Sequence, residues 1–180
     1  MSTLFILGGA RSGKSRYAVT SQPDDVAVAF VATAEARDSG MAARIARHRA
    51  ERPSGWITIE EPYDLVGRLD RLSPEVEAVV VDCLTLWVAN RQLRGDSDAA
   101  IVTEARALGA WVASTPVNVT LVSNEVGEGV HPPTAEGLRF CDLLGFVNQV
   151  VAAACERVVL MVAGIPLVVK APPPVRMEAP

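Results

Sequence analysis

The chain has 180 residues, 49% of them hydrophobic and 21% charged, with a formal net charge of −4. That length and balance suit one domain with a buried core and exclude a disordered or fibrous chain. A mildly acidic chain supplies no global field for nucleic acid or an anionic membrane surface, so neither is expected as a partner.

Thr3–Leu7 reads as a buried strand, broken by the segment Gly8–Gly13, after which Lys14–Thr20 opens a helix. Val26–Ala32 is the next strand and Ser39–Glu51 the next helix. Trp56–Ile59 is a short strand and Tyr63–Leu72 a helical piece. Ala78–Asp82 is a β-branched run of the kind buried on both faces of a parallel sheet. Leu84–Leu93 and Ser97–Ala113 read as helices, Val117–Ser123 as a strand and Thr134–Cys155 as a long helix. Val158–Val162 and Leu167–Lys170 bracket Ala163-Gly164-Ile165-Pro166 and suit a closing hairpin. Strands alternating with helices predict an α/β fold with a mostly parallel sheet covered on both faces and one antiparallel edge strand. Residues 1–170 are expected to form a single domain, followed by a loose Pro-rich tail over 171–180.

The most apolar stretch, Val147–Val169, is interrupted by Asn148, Gln149, Glu156 and Arg157, so no membrane span is expected there. No basic leader precedes the first apolar run, which predicts a cytoplasmic protein. Cys83, Cys141 and Cys155 lack metal-site spacing, and with only His48 and His131 beside them they do not build a zinc centre.

Gly8-Gly9-Ala10-Arg11-Ser12-Gly13-Lys14-Ser15 fits the pattern G-x-x-x-x-G-K-[ST], with a strand before it and a helix after it. Glycines let consecutive backbone N–H groups turn inward as an anion nest. Lys14 is then the group for the β- and γ-phosphates, and Ser15 offers a hydroxyl to Mg²⁺. Lysine is rare here: of the 17 basic residues only Lys14 and Lys170 are not arginine. Asp82, closing the Val79-Val80-Val81 run, is the acid best placed for the metal shell. Its alternative is to cap the helix starting at Leu84, a task Thr85 is also able to take.

Neither lysine follows an asparagine, so the N-K-x-D guanine motif of a regulatory GTPase is impossible. An L-S-G-G-Q-like signature is missing as well, leaving a small kinase as an open reading. The helix Ser39–Glu51 is distinctive. Arg44 and His48 stand one turn apart, and Arg47, Arg49 and Arg52 crowd the same histidine, a composition suited to a polyphosphate. On composition alone the blander reading, a solvated basic face with a bystander histidine, would win.

Taken in order, the Gly8–Ser15 loop, Met41-Ala-Ala-Arg44-Ile45 with His48, Arg52-Pro53 with Trp56, and Asn124-Glu125-Val126-Gly127 resemble one family. It is the bifunctional adenosylcobinamide kinase/adenosylcobinamide-phosphate guanylyltransferase family of cobalamin biosynthesis, and the likeness spans Leu4 to about Lys170. The resemblance implies a RecA-like P-loop fold, usually a homotrimer. It implies phosphorylation of the corrinoid adenosylcobinamide by ATP or GTP, then transfer of GMP from GTP through a GMP-histidine at His48. It further implies nucleotide contacts at Thr33, Ala34 and Glu35, at Arg49, Ala50, Glu51 and Arg52, and at Glu60 and Asp82. This chain departs from the usual pattern in having Asp82 rather than glutamate, one acid in Asp38-Ser39-Gly40, and His131 where an aliphatic residue is usual. His131 is thus a rival nucleophile on paper, without an arginine cage. Glu125 reads as a general base for the hydroxyl or a further Mg²⁺ ligand and, equally, as a loop-stabilising acid.

Overall fold

The structure is a computed structural model and describes residues 1–172; most of the Pro-rich tail lies outside the described residues. Seven strands form one sheet: β1 (Thr3–Gly8), β2 (Val28–Ala32), β3 (Ile57–Glu60), β4 (Ala78–Asp82), β5 (Asn118–Val122), β6 (Arg157–Val162) and β7 (Ile165–Lys170). Their order across the sheet is β3-β2-β4-β5-β1-β6-β7, and every pairing is parallel except β6 with β7. The phosphate-loop strand β1 is therefore separated from the Asp82 strand β4 by β5. Asp82 is in register with Val122 of β5 and Ala32 of β2, which brings the carboxyl ends of the central strands to one level. Ligands of open parallel sheets bind along that edge.

The central strands read as near-continuous apolar runs because both of their faces are covered. Phe5, Val31, Val79, Val81 and Leu121 face one core with Leu65, Leu84, Trp87, Leu108, Leu144 and Val147 from the helices α3 (Leu65–Leu69), α4 (Leu84–Arg94), α5 (Asp98–Ser114) and α6 (Ala135–Ala154). Ile6, Phe30, Val80, Val122 and Val159 face the other core with Ala18 of α1 (Lys14–Thr20). The helix α2 (Ser39–Ala50) has no buried residue. It follows that α2 is held by its ends and by the site it borders, not by a core stripe.

Side-chain caps set several helix starts: Asp38, Ser97 and Thr134 each accept from the backbone N–H three residues on, opening α2, α5 and α6. Asp64 does the same for α3, which runs only five residues, shorter than the pattern Tyr63–Leu72 predicts. The closing hairpin is tighter than expected. Its turn is the pair Ala163-Gly164, both with positive φ (51° and 84°), and β7 starts at Ile165. Pro166 is accommodated because β7 is an edge strand. α6 is long and apolar enough to cross a membrane, yet Leu143, Leu144, Val147 and Val151 are buried in the core, as in a packed helix.

Candidate active site

The phosphate loop leaves β1 at Gly8 (φ 150°) and enters α1 at Gly13 (φ 95°). A Cβ on Gly8 would stand 2.7 Å from both the Met161 carbonyl oxygen and Ser12 Oγ, so the loop passes too close to β6 for any side chain there. Arg11 also takes positive φ and is exposed, and Ala10 and Gly9 are exposed beside it, on the open surface of the loop. Lys14 folds back under the loop: its Nζ donates to the Gly9 carbonyl at 2.6 Å and to Ser12 Oγ at 3.4 Å. Burial holds its pKa below that of an ordinary lysine, against the upward pull of Asp82, while Arg44 pushes further down.

Two cavities open beside this loop, and both are lined by Ser15, His48, Arg52 and Asp82. The larger, about 490 Å³, continues along Val19, Thr20 and Phe30 and includes Glu51. The smaller, about 70 Å³, is closed by Ala34, Met41, Arg44, Ile45 and Leu86. His48 is thus brought to the phosphate-loop serine by α2, although 33 residues separate them in sequence. Arg52 forms the floor: its guanidinium lies 3.7 Å from the centroid of Phe30, which in turn stacks on Trp56. One Arg52 Nη donates to Thr58 Oγ1 at 3.3 Å, and burial lowers the pKa of this arginine. Its Nε is buried without a partner in the described residues.

Asp82 ends β4, and the cap position of α4 belongs to Cys83, which makes no side-chain cap bond. Thr85 is turned instead toward β5, accepting the Asn124 N–H at 2.7 Å. The Asp82 carboxylate is therefore left facing the cavities. Burial pushes the neighbouring Cys83 thiol up to about 11, so it is not a thiolate at neutral pH.

Other residues singled out by sequence lie apart from these cavities. Thr33 is buried and ties β2 to β4, donating to the Cys83 carbonyl at 2.7 Å and accepting the Cys83 N–H at 2.9 Å. Glu35 receives the Tyr63 hydroxyl at 2.9 Å and the Arg37 guanidinium, and those bonds hold its carboxyl below the usual range. Arg49 and Ala50 are exposed on the last turn of α2, and Glu60 is exposed at the end of β3. Glu125 accepts the Gly127 N–H at 2.9 Å within its own loop, the stabilising role, and its N–H donates to Gly8. His131 is exposed in the loop before α6. Phe30 escapes sequence reasoning, because an aromatic in a buried strand run looks like any core residue.

The chain matches the CobU family, cobinamide kinase / cobinamide phosphate guanyltransferase, over residues 4–169. It belongs to that family. The bifunctional adenosylcobalamin biosynthesis protein CobP of Pseudomonas aeruginosa is 43% identical over 169 residues, covering 93% of this chain and 97% of its own. The bifunctional adenosylcobalamin biosynthesis proteins CobU of Escherichia coli and Salmonella typhimurium are 37% and 38% identical, each covering 93% of this chain and 99% of their own. The family match covers every strand of the sheet but the first residue of β1 and the final residue of β7, and all the side chains that line the two cavities.

Proposed function

We propose that this member of the family carries out both reactions: phosphorylation of adenosylcobinamide by ATP or GTP, and transfer of GMP from GTP to the phosphorylated corrinoid through His48. The observation that carries the reading is that His48 shares both cavities with Ser15 and Asp82 at the phosphate loop. One triphosphate bound there has a nucleophilic imidazole beside it.

In the kinase step the corrinoid hydroxyl attacks the γ-phosphorus, and no protein nucleophile is needed. The loop and Lys14 orient the triphosphate and meet its charge. In the guanylyl step the unprotonated imidazole nitrogen of His48 attacks the α-phosphorus and pyrophosphate leaves, splitting one hard displacement into two easier ones. The phosphate of the corrinoid then takes the GMP and frees the histidine. Phe30 and the Arg52 plane beside it give the larger cavity an apolar wall against which a nucleoside can lie.

Ser15 and Asp82 fit a magnesium ion. Both line the same cavities, neither side chain is engaged by another group among the described residues, and Mg²⁺ bound to phosphates asks for only one or two protein oxygens. When bound, the ion would neutralise phosphate charge as it develops. Assembly into a homotrimer is supported by β7, whose Ile165, Leu167, Val168 and Val169 are all more than half exposed on an unpaired edge. Consumption of nucleoside triphosphates fits a cytoplasmic location.

The test is intact-protein mass after GTP treatment. Wild-type protein should gain one GMP, lose it in acid and keep it in alkali, as a phosphoramidate does. His48→Ala should gain none yet still phosphorylate adenosylcobinamide. A His48→Ala protein that still gains GMP overturns the assignment, with His131 as the next residue to mutate.

A further inference from the structure

We propose that Arg44 binds the pyrophosphate end of GTP during guanylyl transfer and stabilises pyrophosphate as it leaves. The inference rests on the guanylyl-transfer reading above and assigns the leaving-group side of that same site.

Lys14 lies under the phosphate loop, and a P-loop lysine serves the β- and γ-phosphates. Arg44 lines the smaller cavity together with the loop residue Ser15, and its charge helps to lower the pKa of Lys14. The larger cavity runs along Phe30 and Val19 and is not lined by Arg44. His48, with Ser15, Arg52 and Asp82, lines both cavities. A triphosphate that spans the two cavities, with its nucleoside at Phe30 and its α-phosphorus at His48, brings its last two phosphates to the side of Lys14 and Arg44.

The charges point the same way. Arg37, Arg71, Arg91, Arg94 and Arg139 each pair with a carboxylate. Arg44 has no carboxylate within 4.0 Å among the described residues, nor does Lys14. Arg44 shares the smaller cavity with the Asp82 carboxylate but, among the described residues, forms no ion pair with it, and a guanidinium fork left so matches phosphate oxygens in pairs. Of the three arginines on α2, Arg47 and Arg49 line neither cavity. Arg44 and His48 lie one helical turn apart and therefore share a face.

In the step itself, a bond forms from the His48 nitrogen to the α-phosphorus while the bond to the α–β bridging oxygen breaks. The electron pair stays on pyrophosphate. No proton moves, because the attacking nitrogen is the unprotonated one. Negative charge therefore grows on the leaving group, where Arg44 stands.

The experiment uses the reversibility of that step. Protein is loaded with GMP from GTP, freed of nucleotide, and mixed either with pyrophosphate, which regenerates GTP, or with cobinamide phosphate, which accepts the GMP. Arg44→Gln should raise the half-saturating pyrophosphate concentration about tenfold or more, the effect of losing a charge-assisted contact. Its half-saturation for cobinamide phosphate should stay where it is. Arg44→Lys, which keeps the charge and loses the fork, should shift pyrophosphate dependence in the same direction by less, and it decides the matter if Arg44→Gln does not fold. An unchanged pyrophosphate dependence overturns the assignment, as does a shift confined to cobinamide phosphate, which would put Arg44 on the acceptor. Wild-type protein that never loads with GMP is a different failure, of the guanylyl-transfer reading beneath this one.

Discussion

Replacing Lys14 by methionine keeps the length of the side chain and removes its ammonium, and the structure assigns different fates to activity and stability. Lys14 is 7% exposed, and its direct partners are two neutral oxygens, at 2.6 and 3.4 Å. Its lowered pKa, caused first by burial, says that the fold disfavours the charge it holds there. Losing the two hydrogen bonds costs stability, and relief from burying an ammonium returns it; the Gly9 carbonyl is on an exposed residue and turns to water. The two effects offset, so stability should stay within about 1 kcal/mol of wild type, a shift in melting temperature of no more than about 4 °C for a chain of this size. Activity has no such offset. The ammonium is aimed at charge that develops in the transition state, and removing one such donor costs about 3–4 kcal/mol, or roughly 10²–10³ in rate. Circular-dichroism melting, corrinoid phosphorylation and GMP loading at saturating nucleotide measure all three quantities on one preparation. A folded Lys14→Met protein that retains activity within about tenfold of wild type would refute the reasoning. So would a drop in melting temperature well beyond the stated range, which would make Lys14 a structural residue.

Asp82→Asn should need far more Mg²⁺ for half-maximal activity in both reactions while melting like wild type, because among the described residues its carboxylate caps no helix and forms no ion pair; an unchanged Mg²⁺ titration would remove it from the metal shell. Asp96 gives a pH test of the fold instead. Hydrogen bonds from Arg94 and then Arg91 hold its carboxyl at about 2, below the ordinary aspartate value of 3.8. Its contribution to stability is therefore complete above that value and lost as pH falls toward 2. Asp96→Asn should lower the melting temperature at neutral pH, and the gap to wild type should close between pH 4 and 2. A gap that stays constant over that range would show that the arginines gain nothing from the charge.

The phosphate loop and the alternation of strands and helices were legible because each rests on local chemistry. Gly8 and Gly13 are needed by the loop's own backbone, and the run Ala78–Asp82 is apolar on both faces because both are covered. What local pattern does not carry is which helix face meets which loop. α2 has no fully buried residue: its short apolar stripe of Met41 and Ile45 is only half-buried, and although sequence puts Arg44 one turn from His48, it does not say which of Arg44, Arg47, Arg49 and Arg52 reach a ligand. The structure separates them: Arg44 and Arg52 reach the cavities, and Arg47 and Arg49 do not. Glu35 shows the opposite limit. The family resemblance implies a nucleotide contact there, and what no local pattern reports is that Arg37 and Tyr63, 28 residues further along, engage the carboxylate. The tightness of the β6–β7 turn was missed for a third reason, since the extended conformation of Pro166 is compatible with either a turn or an edge strand.

That turn ties the β6–β7 hairpin to the phosphate loop. The Gly164 N–H donates to the Ser12 carbonyl at 3.0 Å, and a Cβ on Gly13 would come within 3.3 Å of Gly164 Cα. β6, on which the turn is mounted, also pairs with β1 along Leu4–Gly8. The nucleotide motif leaves the ribosome well before the wall it leans on, since Ser12 and Gly164 lie far apart in sequence. A nascent chain that ends before β6 has the signature residues without the surface that shapes them. The same contact makes this hairpin tip a poor place for an inserted tag or a circularly permuted terminus, uses to which exposed turns are commonly put.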